Sequence, residues 1–178
     1  MAEEGVRDFQ MAKRKALGRL DLPDRHLPSN EEIHTALAQH LNLFYSDRVA
    51  RDLRRLRALA IEAMRFLVAF DPRLVGSVLH GTVTPESGID LHLAANTPEE
   101  VDLLLQEHNI PHTQGERRLR FGADRYETFP TYCLTADGVT IELCVFTPQA
   151  AREPPLSPVD GRPMKRASLR EVEALLDQ

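Results

Sequence analysis

The sequence has no tryptophan, only two cysteines and no long apolar run, and each of these shortages excludes a class of protein. With aromatic residues at 6% and a net charge of -5, the chain is poorly suited to stack nucleic-acid bases or to bind nucleic acid through bulk charge. Two cysteines are too few for a disulfide framework, so we expect a reduced, cytoplasmic setting. No stretch approaches the roughly 18 apolar residues of a membrane helix, so we expect no membrane partner.

What the sequence does have is the composition of one compact globular protein. Hydrophobic residues make up 42% of the 178 positions and charged residues 28%, which is ordinary for a chain that buries a core. Prolines and changes in pattern divide the chain into three parts. We predict a helical arm and linker over 1–28, a main domain with its preceding helices over 29–147, and a proline-rich loop with a C-terminal helix over 148–178.

Helical signals dominate the first part of the main domain. Ser29 and Glu32 have the spacing of a capping box, which predicts a helix over 30–44. Apolar residues then recur at spacings of three and four up to Phe70, and they predict a second helix that Pro72 ends. Five arginines between positions 48 and 57 suit either a solvated face or contact with RNA, and the interspersed acids favour the solvated face.

Beyond Pro72 the pattern changes from helical to alternating, which is typical of strands. A second S-x-x-E pattern at Ser168 predicts a short final helix. Helices first and strands later indicate the α+β class, with a mixed sheet on which the N-terminal helices pack. The predicted elements are paired strands over 74–79 and 89–93, a helix over 97–107, and a hairpin of strands 131–135 and 139–146 that turns at Asp137 and Gly138.

Three stretches of the predicted sheet carry residues suited to chemistry. Gly76 and Ser77 end the first strand, where backbone amides and a small hydroxyl suit a phosphate chain. Asp90 and His92 alternate with apolar neighbours on the next strand and so share one face, roughly 7 Å apart. Glu142 has the same alternating setting on a later strand. Each acid is also what the solvent face of a half-covered strand would carry.

In their order along the chain, these residues resemble the polymerase-beta-like nucleotidyltransferase superfamily, particularly its small minimal bacterial members. The likeness rests on Gly76-Ser77, Gly81, Ser87 and Ile89-Asp90-Leu91, which follow the family's order of G-S, G and S-D-h-D-h, and it spans roughly residues 47–147. The resemblance implies a helix before the Gly-Ser strand, metal-holding acids on two strands, and a Gly-Ser corner that binds the phosphates of a nucleotide.

The resemblance also implies a role for each matching residue. Asp90 corresponds to the second family acid and Glu142 is the candidate for the third; both would hold a divalent metal ion, magnesium or manganese, and serve as the catalytic residues. The implied function is transfer of a nucleotidyl group from a nucleoside triphosphate to an acceptor hydroxyl of a protein, an RNA or a small molecule. The nucleotide-binding residues would be Gly76, Ser77, His80 and Gly81.

Gly88 departs from the family pattern, because the first metal-binding acid would stand there. The loss of one hard oxygen ligand weakens a two-metal site, above all for magnesium. Glu86 or His92 would have to replace it as a metal ligand, and an imidazole would favour manganese or zinc. The alternative function is therefore a catalytically degenerate module of the same fold that binds a nucleotide or a protein.

Basic residues outside the motif leave two further alternatives open. Alternation pairs Arg118 with Arg120 on one side of a predicted strand, where they would either grip phosphate or protect a sheet edge. The loop over 157–166 presents several basic side chains and is either a lid or a surface tail that wraps the sheet. No triad of serine, histidine and aspartate has a supporting context in this sequence.

Overall fold

The computed structural model describes residues 9–20 and 27–176, and it has the predicted α+β class. Residues 1–8, at the start of the predicted arm, and residues 21–26, which form most of the linker predicted over 21–28, lie outside the described residues. The α-helices are α1 (Phe9–Leu20), α2 (Asn30–Phe66), α3 (Gly76–His80), α4 (Pro98–Glu107) and α5 (Leu169–Leu176). The strands are β1 (Arg73–Val75), β2 (Ile89–Ala94), β3 (His112–Arg120), β4 (Tyr126–Ala136) and β5 (Val139–Phe146). Within these described ranges, no helix combines the length and apolarity needed to cross a membrane.

The two helices predicted between residues 30 and 70 are one continuous helix, α2. Ser29 caps it as predicted: its hydroxyl accepts from the Glu32 amide, and the Glu32 carboxylate accepts from the Ser29 amide. The predicted break near residue 45 was wrong, because residues 41–48 contain no proline or glycine to stop the helical hydrogen bonds. The helix ends at Phe66, earlier than predicted, and a 3₁₀ turn follows over Val68–Phe70.

The five strands form one mixed sheet in the order β1-β2-β5-β4-β3. Strands β2 and β5 run parallel, whereas the other neighbouring pairs are antiparallel. The β4–β5 hairpin turns at Asp137 and Gly138 as predicted, and both residues have positive φ. Strand β5 therefore lies at the centre of the sheet, and β1 and β3 form its edges.

The first predicted strand is shorter than expected. The prediction placed it over 74–79, but β1 ends at Val75 and the chain turns directly into α3 at Gly76. Its predicted pairing with β2 is confirmed, with Val75 opposite Asp90. Val78 belongs to α3 and is fully buried in the main core. A single helical turn thus buries the apolar residues that had indicated a longer strand.

The main core lies between the helices and one side of the sheet, which we call the helix face. On β2, the helix-face residues Ile89, Leu91 and Leu93 are at most 1% exposed. Buried residues of the helices pack against these strand residues; they include Met64 of α2, Val101 of α4 and Val172 of α5. Because side chains alternate along a strand, the intervening residues of β2 and β5 point to the opposite side of the sheet.

The chain after β5 wraps the sheet as an anchored tail, which was one of the two alternatives for this segment. The Leu156 amide donates to the carbonyl oxygen of Arg120, and Ala167 exchanges backbone hydrogen bonds with Leu74 of β1. Helix α5 then begins after Ser168, whose amide and hydroxyl both donate to the Glu171 carboxylate, as the S-x-x-E pattern predicted. The division of the chain at residues 28 and 147 stays a prediction.

Candidate functional site

Two carboxylates lie side by side on the side of the sheet opposite the helix face. Asp90 of β2 and Glu142 of β5 are partners in the parallel register, so their side chains leave the sheet at neighbouring points. His92 and Cys144 are the next register partners on this side. We call this side the acidic face, after the two acids that lie next to each other on it; the same side also buries an apolar cluster of Phe121, Phe129, Cys144 and Phe146.

A single guanidinium group joins the two carboxylates. Arg117 Nη1 lies 2.8 Å from Glu142 Oε1 and 3.6 Å from Asp90 Oδ1. Glu142 Oε1 is buried and has no hydrogen bond of good geometry, so its contact with Arg117 is an ion pair held mainly by charge. The two acids therefore converge on one position, and that position holds a positive charge.

The corner between β1 and α3 lies next to the same acids. Gly76 has a φ of +74°, a left-handed conformation that side chains disfavour. A Cβ atom at this position would stand 2.6 Å from Asp90 Oδ2, which is too close for any residue but glycine without a shift of the carboxylate. The structure thus brings together the predicted phosphate corner and the predicted metal-binding aspartate.

The other predicted nucleotide-binding residues belong to α3 and its end. Ser77 is half-buried in the first turn of α3, and its carbonyl oxygen accepts from the amide of Gly81. Desolvation lowers the pKa of His80, and the nearby His34 and Lys165 lower it further. The His80 ring is therefore neutral at neutral pH, and it would offer a phosphate a hydrogen bond rather than a positive charge.

His92, predicted as a metal ligand, is almost completely buried, with 4% of the residue exposed. Its ring packs on Phe146 with 4.7 Å between the ring centroids. Burial first, and then the charges of Arg166 and Arg117, lower the pKa of His92 to about 3. The imidazole is therefore neutral, and its Nδ1 has no hydrogen-bond partner. A neutral imidazole is the form of histidine that binds metal ions.

The predicted metal ligands are Asp90, Glu142 and His92, and the structure brings the first two together at one point. Over residues 9–20 and 27–176, no group of three or more histidine, cysteine or acidic side chains is placed to hold a metal ion. Glu86, the other predicted substitute for the missing acid, is exposed in the loop before β2.

The donor set fits one metal ion and does not fit two. A magnesium ion is commonly held by one or two carboxylates together with phosphate oxygens of its substrate. Asp90 and Glu142 provide the two carboxylates. A pair of ions needs further bridging carboxylate oxygens, and glycine stands at position 88, where the family that the sequence resembles has an acid.

The two cysteines beside the acids are not activated nucleophiles. Cys133 on β4 is the register partner of Glu142, and its Sγ lies 3.9 Å from Glu142 Oε2. Burial and the charge of Glu142 raise the pKa of Cys133, and burial raises the pKa of Cys144 to about 12. Because the thiolate is the reactive form of cysteine, both side chains stay protonated and inert at neutral pH.

Arg117 is the site residue that the sequence analysis missed. Strand alternation places it on the acidic face and puts Arg118 and Arg120 on the opposite face. Arg118 of the edge strand β3 places its guanidinium 4.4 Å from the centre of the Tyr126 ring on the neighbouring β4, which favours the edge-protecting alternative for this pair. The apolar Leu119, which shares the face of Arg117, masked the signal, because alternation with apolar residues is usually taken to mark a core-facing side.

The arginines of α2 contact the protein itself. Arg57 donates hydrogen bonds to the carbonyl oxygens of Val78 and Leu79 in α3 and of Leu175 in α5. Arg55 donates to the backbone at the β4–β5 turn. These contacts favour a structural and solvated role over RNA contact, and Arg57 holds α3 in place against α2.

Comparison with known proteins identifies no relative of this chain. No protein-family model matches it, and searches of curated proteins and of solved structures find no match. The resemblance to the polymerase-beta-like nucleotidyltransferases therefore rests on the residues quoted above, and the function has to be inferred from the geometry of the acidic face.

Proposed function

We propose that the protein is a nucleotidyltransferase-like enzyme that binds a nucleoside triphosphate with one divalent metal ion on the acidic face. It would transfer the nucleotidyl group to an acceptor hydroxyl, whose oxygen bonds to the α-phosphorus as the bond to the β-phosphate breaks and pyrophosphate leaves. One observation carries the proposal: Asp90 and Glu142 converge on a single cationic atom, Arg117 Nη1, at 3.6 and 2.8 Å. Two carboxylates that share one positive charge mark a position suited to a metal ion. Gly76 lies beside this position, as the resemblance implies for the phosphate corner.

Asp90 and Glu142 would hold the metal ion, which we expect to be magnesium or manganese. A bound ion of this kind neutralises the charge of phosphate oxygens and orients them for transfer. With glycine at position 88, the acidic face offers ligands for one ion rather than two. A basic side chain on this face must then supply further positive charge to neutralise the phosphates, and Arg117 is placed to do so.

The residues of the corner would bind and orient the triphosphate. Gly76 has no side chain, so a phosphate oxygen can approach its backbone closely. The hydroxyl of Ser77 would donate one hydrogen bond to the same phosphates, and the neutral His80 would donate another. Glu142, besides holding the metal ion, would accept the proton of the attacking acceptor hydroxyl.

The test titrates the full chain with ATP, GTP, CTP and UTP, each in the presence of magnesium or manganese. The rise in the unfolding temperature of the protein measures binding. A working site gives stabilisation that requires nucleotide and metal together and that disappears in Asp90→Ala. Asp124→Ala is the matched control, because Asp124 is an exposed acid in the turn between β3 and β4. Where a nucleotide binds, mass analysis of protein, RNA and small-molecule acceptors follows the transfer. Absence of stabilisation in every combination would contradict the proposal.

A second candidate is a catalytically degenerate module of the same fold that binds a nucleotide or a protein. The observation that favours it is that Arg117 already pairs with both acids and cancels one of their two charges, while Gly88 stands where the resembled family has a metal ligand. This candidate predicts nucleotide binding that does not depend on a metal ion, or no nucleotide binding at all. The same titration therefore separates the two candidates.

The cytoplasm is the proposed location, and the state of the cysteines supports it. Cys133 and Cys144 lie on neighbouring strands, and both are free thiols. Free thiols are typical of a reducing compartment. We expect two thiols per chain to titrate when protein purified without reductant is unfolded in denaturant, which exposes the buried Cys144.

A further inference from the structure

Arg117 stands at the position that the proposed metal ion would take, and it is the most accessible member of the cluster. Its side chain is 41% exposed, against 30% for Asp90 and 25% for Glu142. An ion pair that solvent reaches to this extent is only weakly held, because water replaces much of the attraction. The guanidinium can therefore leave the acids and stay solvated itself, whereas the buried Glu142 Oε1 then needs another cation.

The acids have a stronger requirement for a cation than Arg117 has for them. Asp90 and Glu142 are register partners, so their two negative charges lie close together and repel each other. Glu142 Oε1 is buried with no hydrogen bond, and Arg117 is the cation next to it. A second polar atom of the same face, His92 Nδ1, is also buried without a hydrogen-bond partner. This face thus has two buried polar atoms whose hydrogen-bonding capacity the described side chains do not satisfy.

We propose that Arg117 is a built-in counter-ion that occupies the metal position, and that a divalent ion binds to Asp90 and Glu142 by displacing it. The inference rests on the proposed function, because it takes these two acids as the metal ligands. On release, the guanidinium stays on the acidic face, where the phosphates of a nucleotide give it a new anionic partner. A divalent ion alone therefore binds weakly, and the ion binds well together with a nucleotide.

The experiment measures the binding of Mn²⁺ alone to the full chain, from the electron paramagnetic resonance signal of the free ion. Arg117→Gln removes the competing positive charge, and we expect it to bind Mn²⁺ about tenfold more tightly than the unaltered protein. Arg117→Lys keeps the charge and should keep the weak binding. Arg118→Gln is the matched control, because it removes an arginine from the opposite face. Combining Arg117→Gln with Asp90→Asn should abolish the gain.

Equal Mn²⁺ affinity of the unaltered protein and of folded Arg117→Gln overturns the inference. Arg117→Met, which keeps the length of the side chain without its charge, provides the same comparison if the glutamine variant does not fold. Nucleotide binding by the unaltered protein is scored separately. If Arg117→Gln binds Mn²⁺ more tightly but the unaltered protein binds no nucleotide, the counter-ion role is supported and the proposed enzyme is contradicted. If the unaltered protein binds nucleotide but Arg117→Gln shows no gain in Mn²⁺ affinity, the proposed enzyme is supported and the counter-ion role is contradicted.

Discussion

Leu91 and Asp90 are neighbours on β2, yet they point to opposite sides of the sheet and meet opposite surroundings. Leu91 is fully buried on the helix face, within a core to which α2, α4 and α5 all contribute. Asp90 lies on the acidic face, part-exposed, with a guanidinium within ion-pair distance. The same strand therefore serves two purposes, and each purpose occupies every second residue.

The contrast between the two faces indicates where the stability of the protein comes from. Burial of apolar side chains on the helix face is the main favourable contribution to folding. The acidic face buries a smaller apolar cluster of Phe121, Phe129, Cys144 and Phe146, and beside it holds groups that cost free energy to bury, such as the neutral His92 and the part-buried Glu142. Groups that a fold holds at a cost are frequently found at binding and catalytic sites, which agrees with the proposed function.

The largest expected effect comes from replacing the two neighbours separately. Leu91→Ala leaves a cavity in the main core and should lower the free energy of unfolding by about 3 kcal/mol. Asp90→Asn removes one charge from a part-exposed cluster and should change that free energy by less than about 1 kcal/mol. Urea unfolding measures both free energies, provided that their dependence on urea concentration is the same in the variants as in the unaltered protein. If Asp90→Asn costs as much as Leu91→Ala, the acidic face is part of the structural framework instead.

A smaller effect is expected where the acidic face meets the α3 corner. Gly76→Ala should cost about 2 kcal/mol, because the left-handed φ strains alanine and the added Cβ displaces the Asp90 carboxylate. Gly138→Ala is the matched control, since Gly138 has a φ of +73° and an added Cβ there would meet no atom within 4 Å. Its cost measures the strain alone. In the double variant Gly76→Ala with Asp90→Ala, the free energy of unfolding should rise by the difference between the costs of the two glycine variants. If it does not rise, the added Cβ does not clash with the Asp90 carboxylate.

The buried histidine of the acidic face should behave unlike a histidine whose nitrogens are both bonded. His92→Phe removes an unpartnered Nδ1 and should leave the free energy of unfolding unchanged or raise it by about 1 kcal/mol. His112→Phe is the contrasting variant, because the nitrogens of His112 contact the Ile110 carbonyl and the Asp102 carboxylate, and it should lower stability. Thermal unfolding of both variants measures the difference. A clear loss in His92→Phe would mean that the His92 ring has a partner essential to the fold.

The smallest expected effect is a pH dependence at His112, far from the acidic face. Its Nδ1 lies 2.9 Å from the Ile110 carbonyl oxygen and its Nε2 lies 2.7 Å from Asp102 Oδ1. Both partners accept hydrogen bonds, so the ring satisfies both only when it is protonated. The hydrogen bond to Ile110, together with Asp102, raises the pKa of His112, whereas hydrogen bonds from Gln106 and His112 lower the pKa of Asp102.

The sign of the pH effect follows from these two shifts. The contribution of His112 is fully present below its ordinary pKa of 6.5 and is lost as the pH rises through the higher folded value. The contribution of Asp102 is present above its ordinary pKa of 3.8 and is lost as the pH falls through the lower folded value. The difference in unfolding temperature between the unaltered protein and His112→Gln should therefore be larger at about pH 5.5 than at about pH 8.5. Equal differences at the two pH values would contradict this assignment.

Much of the fold was predictable because its elements carry local signals. Capping residues marked the starts of α2 and α5, and a D-G pair marked the β4–β5 turn. The errors arose where local signals are ambiguous. The six residues from 74 to 79 are apolar enough for a strand, and only the tertiary structure assigns the last four to α3, within a core that also contains α2. The continuity of α2 was likewise hard to predict, because it follows only from the lack of proline and glycine over residues 41–48 and no residue pattern marks it directly.

The candidate site was predictable within one strand and not between strands. Alternation placed Asp90 and His92 on a common face, and the parallel register brings Glu142 beside Asp90. The position of Arg117 depends on two further registers, between β5 and β4 and between β4 and β3. A shift of one residue in either register would send the side chain to the other face, and no local pattern fixes that choice.

The parallel pairing of β2 with β5 also bears on the order in which the chain folds. Between these strands along the sequence lie α4 and the β3–β4 hairpin, so Asp90 and Glu142 become neighbours only after a long loop has closed. Local hairpins form faster than such distant pairings. Arg117 belongs to the β3–β4 hairpin, and it can be in place before the two acids meet. In that order of folding, the Arg117 guanidinium arrives with the hairpin at the place where Asp90 and Glu142 meet, and it offsets the repulsion between their like charges.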